Sequence, residues 1–280
     1  MPEPTIIPLG SPFTLRTSDP GIAHGYGLFE TIRLKRGRLL LWSAHWQRLI
    51  TSADALGLQC NYSEDSVLRA IGRLLQWDAL EDATIKLSLL REGRGDQLYV
   101  YARPSLQWPG TARLQWLPQR PLAAASPLAG HKTHNYMENI YLLEQARAAG
   151  FDDCLRPAPC GSIGETTVAN LFWLRGDVLH TPSTRLGILP GVVRATLLRL
   201  ASSLDIPCQE DAFHPESLNT AESLFIANAS IGLLPVHSIE GPGINQQFDS
   251  AAHPVYDKLR QALQSEQEHT APRPPVPENT

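Results

Sequence analysis

The first clear pattern of apolar and polar positions runs from residue 27 to residue 41. Apolar and polar residues alternate as far as Leu34, a short basic turn (Arg36–Arg38) follows, and three leucines come after the turn. A period of two is typical of a half-buried strand, and a glycine-containing turn between two such runs is typical of a hairpin. The pattern therefore predicts two strands joined by a tight turn.

Two stretches with helical spacing come next. Ser43 stands where an N-cap residue belongs, and apolar residues then recur every three or four positions until Gly57 ends the run. A second run of this kind follows Ser63, with acidic residues in its first turn. We expect one helix in each stretch, with His45 and Arg48 about one turn apart on the first helix.

In the rest of the chain, the predicted short strands outnumber the predicted helices. The segments IKLSLLR and QLYVYARP predict a second hairpin, and five prolines between residues 104 and 127 break any long helix around the strand RLQWLP. After residue 135 we expect a helix to Ala149, the strands CLRPA, NLFWLRG and DVLHTP, a helix from Val192 to Leu204, and the strand SLFIANA. This order of elements predicts an α+β fold.

The same patterns divide the chain into two lobes. We expect an N-terminal α+β lobe over residues 1–117, a connection over 118–130, and a larger C-terminal lobe over 131–262. Beyond residue 262 the sequence is polar and rich in proline, with too little apolar surface to offset the entropy of ordering. Residues 263–280 are therefore predicted to be a disordered tail.

Composition narrows the possible classes of protein. A chain of 280 residues that is 42% apolar can bury a substantial core, and a net charge of −4 without long runs of one sign argues against nucleic acid or a membrane surface as partner. Neither a signal peptide nor an apolar stretch of eighteen residues is evident, so we expect a soluble, cytoplasmic protein. The four cysteines lack metal-site spacing, so we expect reduced thiols and no metal.

Six short strings occur in an order that carries more information than any one of them. They are HGYGLFETIR, SAHWQRL, KTHNYMEN, GETTVANLFW, LGILPGVVR and IANASIGLLPV, spread over about residues 19–240. In this order they resemble the class-IV aminotransferases, which use pyridoxal 5′-phosphate. The resemblance implies the two-lobed fold type IV, with the cofactor between the lobes and a homodimer as the assembly.

The resemblance also implies roles for individual residues. Lys132 resembles the lysine that forms a Schiff base with the cofactor and moves protons during the reaction, whereas an isolated lysine would be interpreted as a solvated surface charge. Glu165 resembles the glutamate that pairs with the pyridine nitrogen and keeps it protonated. Arg48 resembles the phosphate-binding arginine, with a solvated arginine as the alternative.

The remaining cofactor residues are predicted around the phosphate. Val192 and Val193 begin a helix whose N-terminal N–H groups suit a phosphate dianion. Asn228, Ala229 and Ser230 resemble the other side of the phosphate site, although a plain turn is an open alternative for Asn228. Tyr136 either lies near the cofactor or packs in the core, and His134 is interpreted as packing.

The substrate is harder to infer than the cofactor. The strings LLLWSAHWQRL and ANLFWLRGDVLHTP favour the branch of the family that contains 4-amino-4-deoxychorismate lyase, which forms 4-aminobenzoate and pyruvate. Lys86, Arg91 and Arg94 could bind the substrate's carboxylates, with solvated turn charges as an equal alternative. Tyr26 replaces the acidic residue of the family's G-D-G segment, which puts substrate preference in doubt. A branched-chain or D-amino-acid aminotransferase, or a non-catalytic cofactor-binding protein, remains open.

Overall fold

The computed structural model describes residues 2–105 and 107–275, which form two compact units. Unit 1 comprises Met1–Leu106, His131–Tyr136 and Gln267–Thr280, and unit 2 comprises Gln107–Gly130 and Met137–Glu266. Each unit combines helices with a β-sheet, so the predicted α+β class is confirmed. The boundary predicted at residue 117 is wrong, because β6, which is part of unit 2, already begins at Ala112.

Unit 1 is built on a five-stranded sheet in the order β1-β5-β4-β2-β3. Its elements in chain order are β1 (Thr5–Ile7), α1 (Pro20–Ala23), β2 (Gly27–Lys35), β3 (Arg38–Leu39), α2 (Trp42–Ala55), α3 (Glu64–Trp77), β4 (Ala83–Glu92) and β5 (Gly95–Arg103). All neighbours are antiparallel except β1 and β5, which are parallel. Both predicted hairpins are thereby confirmed.

The two predicted helices of unit 1 are present, but only one begins as expected. Ser63 caps α3, because its hydroxyl oxygen accepts a hydrogen bond from the N–H of Ser66 at 3.1 Å. Ser43, in contrast, lies inside α2, which begins at Trp42 after Leu41 in a left-handed conformation with φ 55°. No side chain caps the start of α2, so a prediction based on a capping residue misplaced it.

The segment His131–Tyr136 belongs to unit 1 through backbone pairing with β2. The N–H of Phe29 donates to the carbonyl of Lys132, and the N–H of His134 donates to the carbonyl of Gly27, both at 2.9 Å. Because β4 pairs with one edge of β2 from Gly27 onward, this segment occupies the opposite edge. The prediction that the C-terminal lobe carries Lys132 is therefore wrong.

Unit 2 contains a nine-stranded sheet in the order β11-β10-β9-β12-β13-β6-β7-β8, with β14 paired to β13. Its elements are β6 (Ala112–Trp116), α4 (Met137–Ala148), β7 (Asp153–Pro157), β8 (Ile163–Thr166), β9 (Asn170–Arg175), β10 (Val178–Pro182), α5 (Val192–Ser203), β11 (Cys208–Asp211), β12 (Ser223–Asn228), β13 (Gly232–Gly241) and β14 (Ile244–Gln247). The central strands β9 and β12 are apolar on both faces, and the rings of Phe172 and Phe225 stack between them at 5.7 Å. The sequence patterns did not reveal β11, because its four residues are all exposed and polar.

The C-terminal segment is ordered further than its composition suggests. A last helix, α6 (Pro254–Thr270), buries Val255, Tyr256, Leu259 and Leu263. Ala271 is then buried, and the carbonyl of Pro272 accepts a hydrogen bond from the N–H of Leu39 at 3.0 Å. The prediction of a disordered tail is therefore wrong for residues 263–275, because a few apolar residues at helical spacing anchor a mostly polar sequence. Residues 276–280 lie outside the described residues.

This anchoring predicts that ending the chain after Thr270 destabilises unit 1. The truncation removes the buried Ala271 and the two carbonyls that accept from Arg38 and Leu39. We expect a loss of about 2 kcal/mol, since each hydrogen bond contributes about 1 kcal/mol net. Urea denaturation monitored by tryptophan fluorescence measures the loss. A chain that ends after Pro275 is the control, and equal stability of the two truncated chains would contradict the anchoring.

Candidate active site

The residues predicted from the sequence fall into two groups, one in each unit. Unit 1 contains Lys132, Arg48, Tyr136, Lys86, Arg91 and Arg94. Unit 2 contains Glu165, Val192, Val193, Asn228, Ala229 and Ser230.

Lys132 holds its amine over two aromatic rings. Its Nζ lies 4.4 Å from the ring centroid of Phe29 and 5.0 Å from that of Tyr136. The two rings meet edge to face with centroids 5.3 Å apart. Backbone pairing with β2 fixes the Cα atom of Lys132, and the two rings contact its Nζ. Both ends of the side chain are therefore positioned. Tyr136 therefore lies near Lys132, and its predicted position near the cofactor stays a prediction.

A second lysine shares the Phe29 ring. The Nζ of Lys86 lies 3.8 Å from the ring centroid of Phe29 and donates a hydrogen bond to the hydroxyl of Thr31 at 2.8 Å. Lys86 is opposite Thr31 in the β2–β4 pairing, so both side chains are on one face of the sheet. Burial, together with the charges of Lys132 and Arg103, lowers the pKa of Lys86 to about 6. A buried amine beside a second amine is a ready binding position for an anion.

Arg48 is fixed by a carboxylate that the sequence patterns did not single out. Both carboxylate oxygens of Glu30 accept from Arg48, from Nε and from Nη2, each at 2.7 Å. The Nδ1 of His45, one turn earlier on α2, is also 2.7 Å from the Glu30 carboxylate. Glu30 is 1% exposed and Arg48 is 12% exposed. Two contacts in a bidentate pair fix the plane of the guanidinium as well as its position.

The charges of this buried group follow from its geometry. Burial would raise the pKa of Glu30, but the charges and hydrogen bonds of Arg48 and His45 outweigh it and lower the pKa to about 2. Burial lowers the pKa of His45, so His45 is neutral at pH 7 and donates its Nδ1–H to the carboxylate. The Nε2 of His45 is buried and has no hydrogen-bond partner among the described residues. Arg48 and Glu30 are therefore the ionised pair.

The other two predicted cations lie in the second hairpin. Arg91 donates to both oxygens of Asp96, at 3.0 and 3.2 Å, and to the carbonyl of Gly57 at 2.5 Å. Its guanidinium also lies 4.3 Å from the ring centroid of Tyr26. Arg94 is exposed in the turn between β4 and β5. Substrate binding by Arg91 and Arg94 stays a prediction.

His134 packs as the sequence analysis expected. Its ring lies 5.3 Å from the ring of Phe29, and burial followed by the charge of Lys86 lowers its pKa to about 4. A neutral imidazole with this environment contributes packing beside the two lysines. The packing role is therefore confirmed, and the exclusion of His134 from proton transfer stays a prediction.

In unit 2, Glu165 is held by two donors from different segments. The N–H of Leu189 donates to Glu165 Oε1 at 3.0 Å, and the side-chain amide of Asn170 donates to Oε2 at 2.9 Å. Asn170 also donates to the carbonyl of Leu189, at 2.9 Å. The carboxylate therefore has one fixed orientation, and Asn170 is a second residue that sequence reasoning missed.

The helix α5 begins next to this carboxylate. Its N-cap is Gly191, which has no side chain to satisfy the first N–H groups, and Val192 and Val193 follow with buried side chains. The N-terminal N–H groups of a helix lack partners within it and carry a partial positive charge, which suits a phosphate. A Cβ atom on Gly191 would lie 2.0 Å from Asn170 Oδ1, so only glycine fits at this position.

Asn228 closes the turn between β12 and β13. Its side-chain oxygen accepts from the N–H groups of Ser230 and Ile231, at 2.8 and 3.0 Å, and its amide donates to the carbonyl of Val168 at 3.1 Å. The turn role, which the sequence left open for Asn228, is therefore confirmed. Ala229 and Ser230 are half-buried in this turn. Val168 lies between Glu165 and Asn170, so the predicted residues of unit 2 converge on one short segment.

With both groups described, the chain can be compared with known proteins. The model of the family "Amino-transferase class IV" matches residues 27–239. The chain therefore belongs to the class-IV aminotransferase family.

Three relatives show the range of activities within this similarity. A crystal structure of a Legionella pneumophila protein assigned as 4-amino-4-deoxychorismate lyase is 30% identical, with a TM-score of 0.85 over 94% of this chain and 98% of that one. Aminodeoxychorismate lyase of Bacillus subtilis is 25% identical over 246 residues, 83% of this chain and 84% of the relative. A Methanocaldococcus jannaschii protein assigned as a branched-chain-amino-acid aminotransferase is 28% identical over 244 residues, 82% of this chain and 84% of the relative.

Family membership confirms three predictions. The fold is that of the type IV enzymes, the chain is an enzyme of this family, and its cofactor is pyridoxal 5′-phosphate. The side chains fit this cofactor: unit 1 supplies an amine over aromatic rings, a fixed arginine and the unpartnered Nε2 of His45, and unit 2 supplies an oriented carboxylate and a helix N-terminus.

The buried Glu30 predicts a stability change that depends on pH. At pH 7 we expect Glu30→Gln to cost about 3 kcal/mol, because breaking a buried ion pair leaves Arg48 without its counter-charge. The pKa of Glu30 is lowered by folding, so its contribution is present above pH 4.5 and is lost as the pH falls toward 2. The difference between the variant and the wild type should shrink over that range in urea denaturation.

The exposed pair of Glu3 and Arg73 provides the matched control for this measurement. Glu3→Gln removes the same charge from a solvated position, where ion pairs contribute little. If Glu3→Gln and Glu30→Gln were equally destabilising at pH 7, the Glu30–Arg48 pair would not stabilise the fold more than an exposed ion pair does.

Proposed function

We propose that this enzyme converts 4-amino-4-deoxychorismate to 4-aminobenzoate and pyruvate. The observation that carries the proposal is the pair of amines on one ring, with Lys86 and Lys132 both within 4.4 Å of the centroid of Phe29. A substrate with carboxylates near its amine fits a reactive lysine that has a second, buried amine beside it, because a bound carboxylate favours the protonated form of that amine. The similarity to the Legionella pneumophila and Bacillus subtilis proteins supports the same choice.

When bound, pyridoxal phosphate supplies an aldehyde that condenses with amines and a ring that withdraws electrons. Lys132 offers the amine for this condensation. Glu165, held by Leu189 and Asn170, keeps a proton on the ring nitrogen through its charge. Arg48 and the N–H groups of Val192 and Val193 are the donors for the phosphate.

Lys132 also moves the proton that distinguishes the possible reactions. In the lyase, the substrate's amine would take the place of Lys132, and the freed Nζ would accept the proton from the adjacent ring carbon. The enolpyruvyl group would leave from the neighbouring carbon with the electrons of its C–O bond, and a proton returned from Nζ would convert it to pyruvate. The product ring is aromatic, which drives the reaction forward. Phe29 and Tyr136 place their rings 4.4 and 5.0 Å from Nζ, so the two rings restrict where this amine can lie.

An aminotransferase is the alternative, and the similarity to the Methanocaldococcus jannaschii protein favours it. The same Lys132 Nζ would then return the proton to the cofactor, and hydrolysis would release a keto acid. Lys86 would bind the carboxylate of an amino acid in that case. The two reactions therefore differ in substrate and in the destination of one proton, not in the residues that bind the cofactor.

We further propose that the enzyme is a homodimer. Met137, Ile140 and Tyr141 lie at helical spacing on one face of α4 and are 84%, 42% and 54% exposed. An exposed apolar face of this kind is typical of a protein–protein interface.

Among the described residues, no helix combines the length and hydropathy needed to cross a bilayer. The proposed site of action is the cytoplasm, and nucleic acid is not a proposed partner.

A product assay separates the lyase from the aminotransferase. The purified enzyme with pyridoxal phosphate is incubated with 4-amino-4-deoxychorismate, and pyruvate and 4-aminobenzoate are measured. In parallel, leucine or D-alanine is offered with 2-oxoglutarate, and glutamate is measured. We expect products from the first reaction. Glutamate from the second reaction, with no product from the first, would establish an aminotransferase instead.

The role of Lys132 is tested by the visible absorption of the bound cofactor. We expect Lys132→Ala to abolish both the absorption band of the lysine-linked cofactor and the turnover, because no other residue is proposed to supply the amine. Lys258→Ala removes an exposed lysine of α6 and should change neither. A Lys132→Ala enzyme that retained the wild-type band would refute the assignment of this lysine.

Lys86 is tested through substrate affinity. We expect Lys86→Met to raise KM at least tenfold while the affinity for pyridoxal phosphate changes little, since the substitution removes a cation but keeps the buried volume. Because the pKa of Lys86 is about 6, the wild-type affinity for an anionic substrate should also weaken as the pH rises above 6. Lys258→Met is the control, and an unchanged KM in Lys86→Met would exclude this lysine from substrate binding.

A further inference from the structure

We propose that Asn170 is a positioning residue that acts on the cofactor through Glu165. Its amide holds the carboxylate of Glu165 in the orientation that a protonated ring nitrogen requires. This inference deepens the proposed function and rests on the binding of pyridoxal phosphate. Neither family membership nor the sequence motifs assign a role to this side chain.

Each of the two N–H groups of the Asn170 side-chain amide donates one hydrogen bond. Asn170 Nδ2 donates to Glu165 Oε2 and to the carbonyl of Leu189, each at 2.9 Å, so both of its N–H bonds are occupied. Leu189 in turn donates its N–H to Glu165 Oε1 at 3.0 Å. The three groups form a closed ring of hydrogen bonds. Rotation of the carboxylate would break two of these bonds at once.

The position of Asn170 is itself restricted from the other side. Its oxygen lies so close to Gly191 that a Cβ atom there would be only 2.0 Å away. Its backbone is part of β9, where Asn170 is opposite Ala227 of β12. Strand pairing and the glycine contact therefore leave the side chain little freedom to rotate.

A purely structural role does not account for these contacts. Asn170 is only 3% exposed, so burying its amide costs hydration free energy. An apolar side chain at this position would not have that cost. The core of unit 2 is otherwise filled by apolar neighbours on the same strand, such as Leu171 and Phe172. The amide is found where it can donate to Glu165, which is the residue whose orientation matters for the cofactor.

The test is a double-mutant cycle on cofactor affinity. Pyridoxal phosphate is removed and then titrated back into the wild type, Asn170→Ser, Glu165→Ala and the double variant, with tryptophan fluorescence as the readout. We expect Asn170→Ser alone to weaken binding about tenfold. In the Glu165→Ala background it should add less than twofold, because there is no carboxylate left to position.

Thr181→Val is the matched control for this cycle. Thr181 is fully buried in unit 2 and donates to the carbonyl of Leu171, but it has no contact with Glu165 among the described hydrogen bonds. Any effect of Thr181→Val should therefore be the same with and without the Glu165 side chain. This comparison separates general loosening of unit 2 from loss of positioning.

The outcomes distinguish this inference from the proposed function. If the wild type fails to bind pyridoxal phosphate, the proposed function is refuted. If the wild type binds it but Asn170→Ser has no effect, or an effect that adds fully to that of Glu165→Ala, only the role of Asn170 is refuted. Should Asn170→Ser fail to fold, Gly191→Ala replaces it in the same cycle, because the added methyl group displaces Asn170 Oδ1, and the same criteria apply.

Discussion

Glu30 is an ionised carboxylate with almost no exposure to water, and the arrangement of unit 1 depends on its neutralisation. Burying an isolated charge costs several kcal/mol of folding free energy. The helix α2 must therefore place Arg48 and His45 next to Glu30 on β2. This requirement fixes the register of α2 against the sheet more strictly than apolar packing does, because apolar contacts tolerate small shifts. Arg48, the proposed phosphate-binding residue, is thus placed by the same interaction that stabilises the core.

The strand β2 serves two purposes because successive side chains point to opposite faces. Glu30 lies on the face that buries Leu28 and Ile32, whereas Phe29 lies on the face where Lys86 is opposite Thr31. The edge of β2 carries the backbone of Lys132. One short strand therefore positions the reactive amine, a second amine and the arginine, and a shift of one residue would exchange its two faces.

Sequence patterns were sufficient for most helices and strands, and the family resemblance supplied the candidate cofactor residues, but neither revealed the residues that hold these candidates in place. Glu30 could have been found, because it is a charged residue at an apolar position of an alternating strand and so requires a partner. Asn170 could not, since its role depends on Leu189 and Gly191, which are distant in sequence. The placement of Lys132 in unit 1 likewise depends on backbone pairing with β2, which leaves no trace in composition or periodicity.

The residues proposed to bind the cofactor and those proposed to select the substrate follow different physical constraints. Glu165 and Arg48 are fixed by charged or hydrogen-bonded partners within their own units, so they can change little without loss of the fold. Arg91 is occupied by Asp96, Gly57 and the ring of Tyr26, and therefore its cation is already balanced. Lys86 differs from both, because its contacts are a hydroxyl and an aromatic ring and its pKa of about 6 leaves the amine mostly neutral at pH 7. An anion that arrives with the substrate would favour the protonated form of this amine, so the proposed function assigns the choice of substrate to Lys86 more directly than to Arg91.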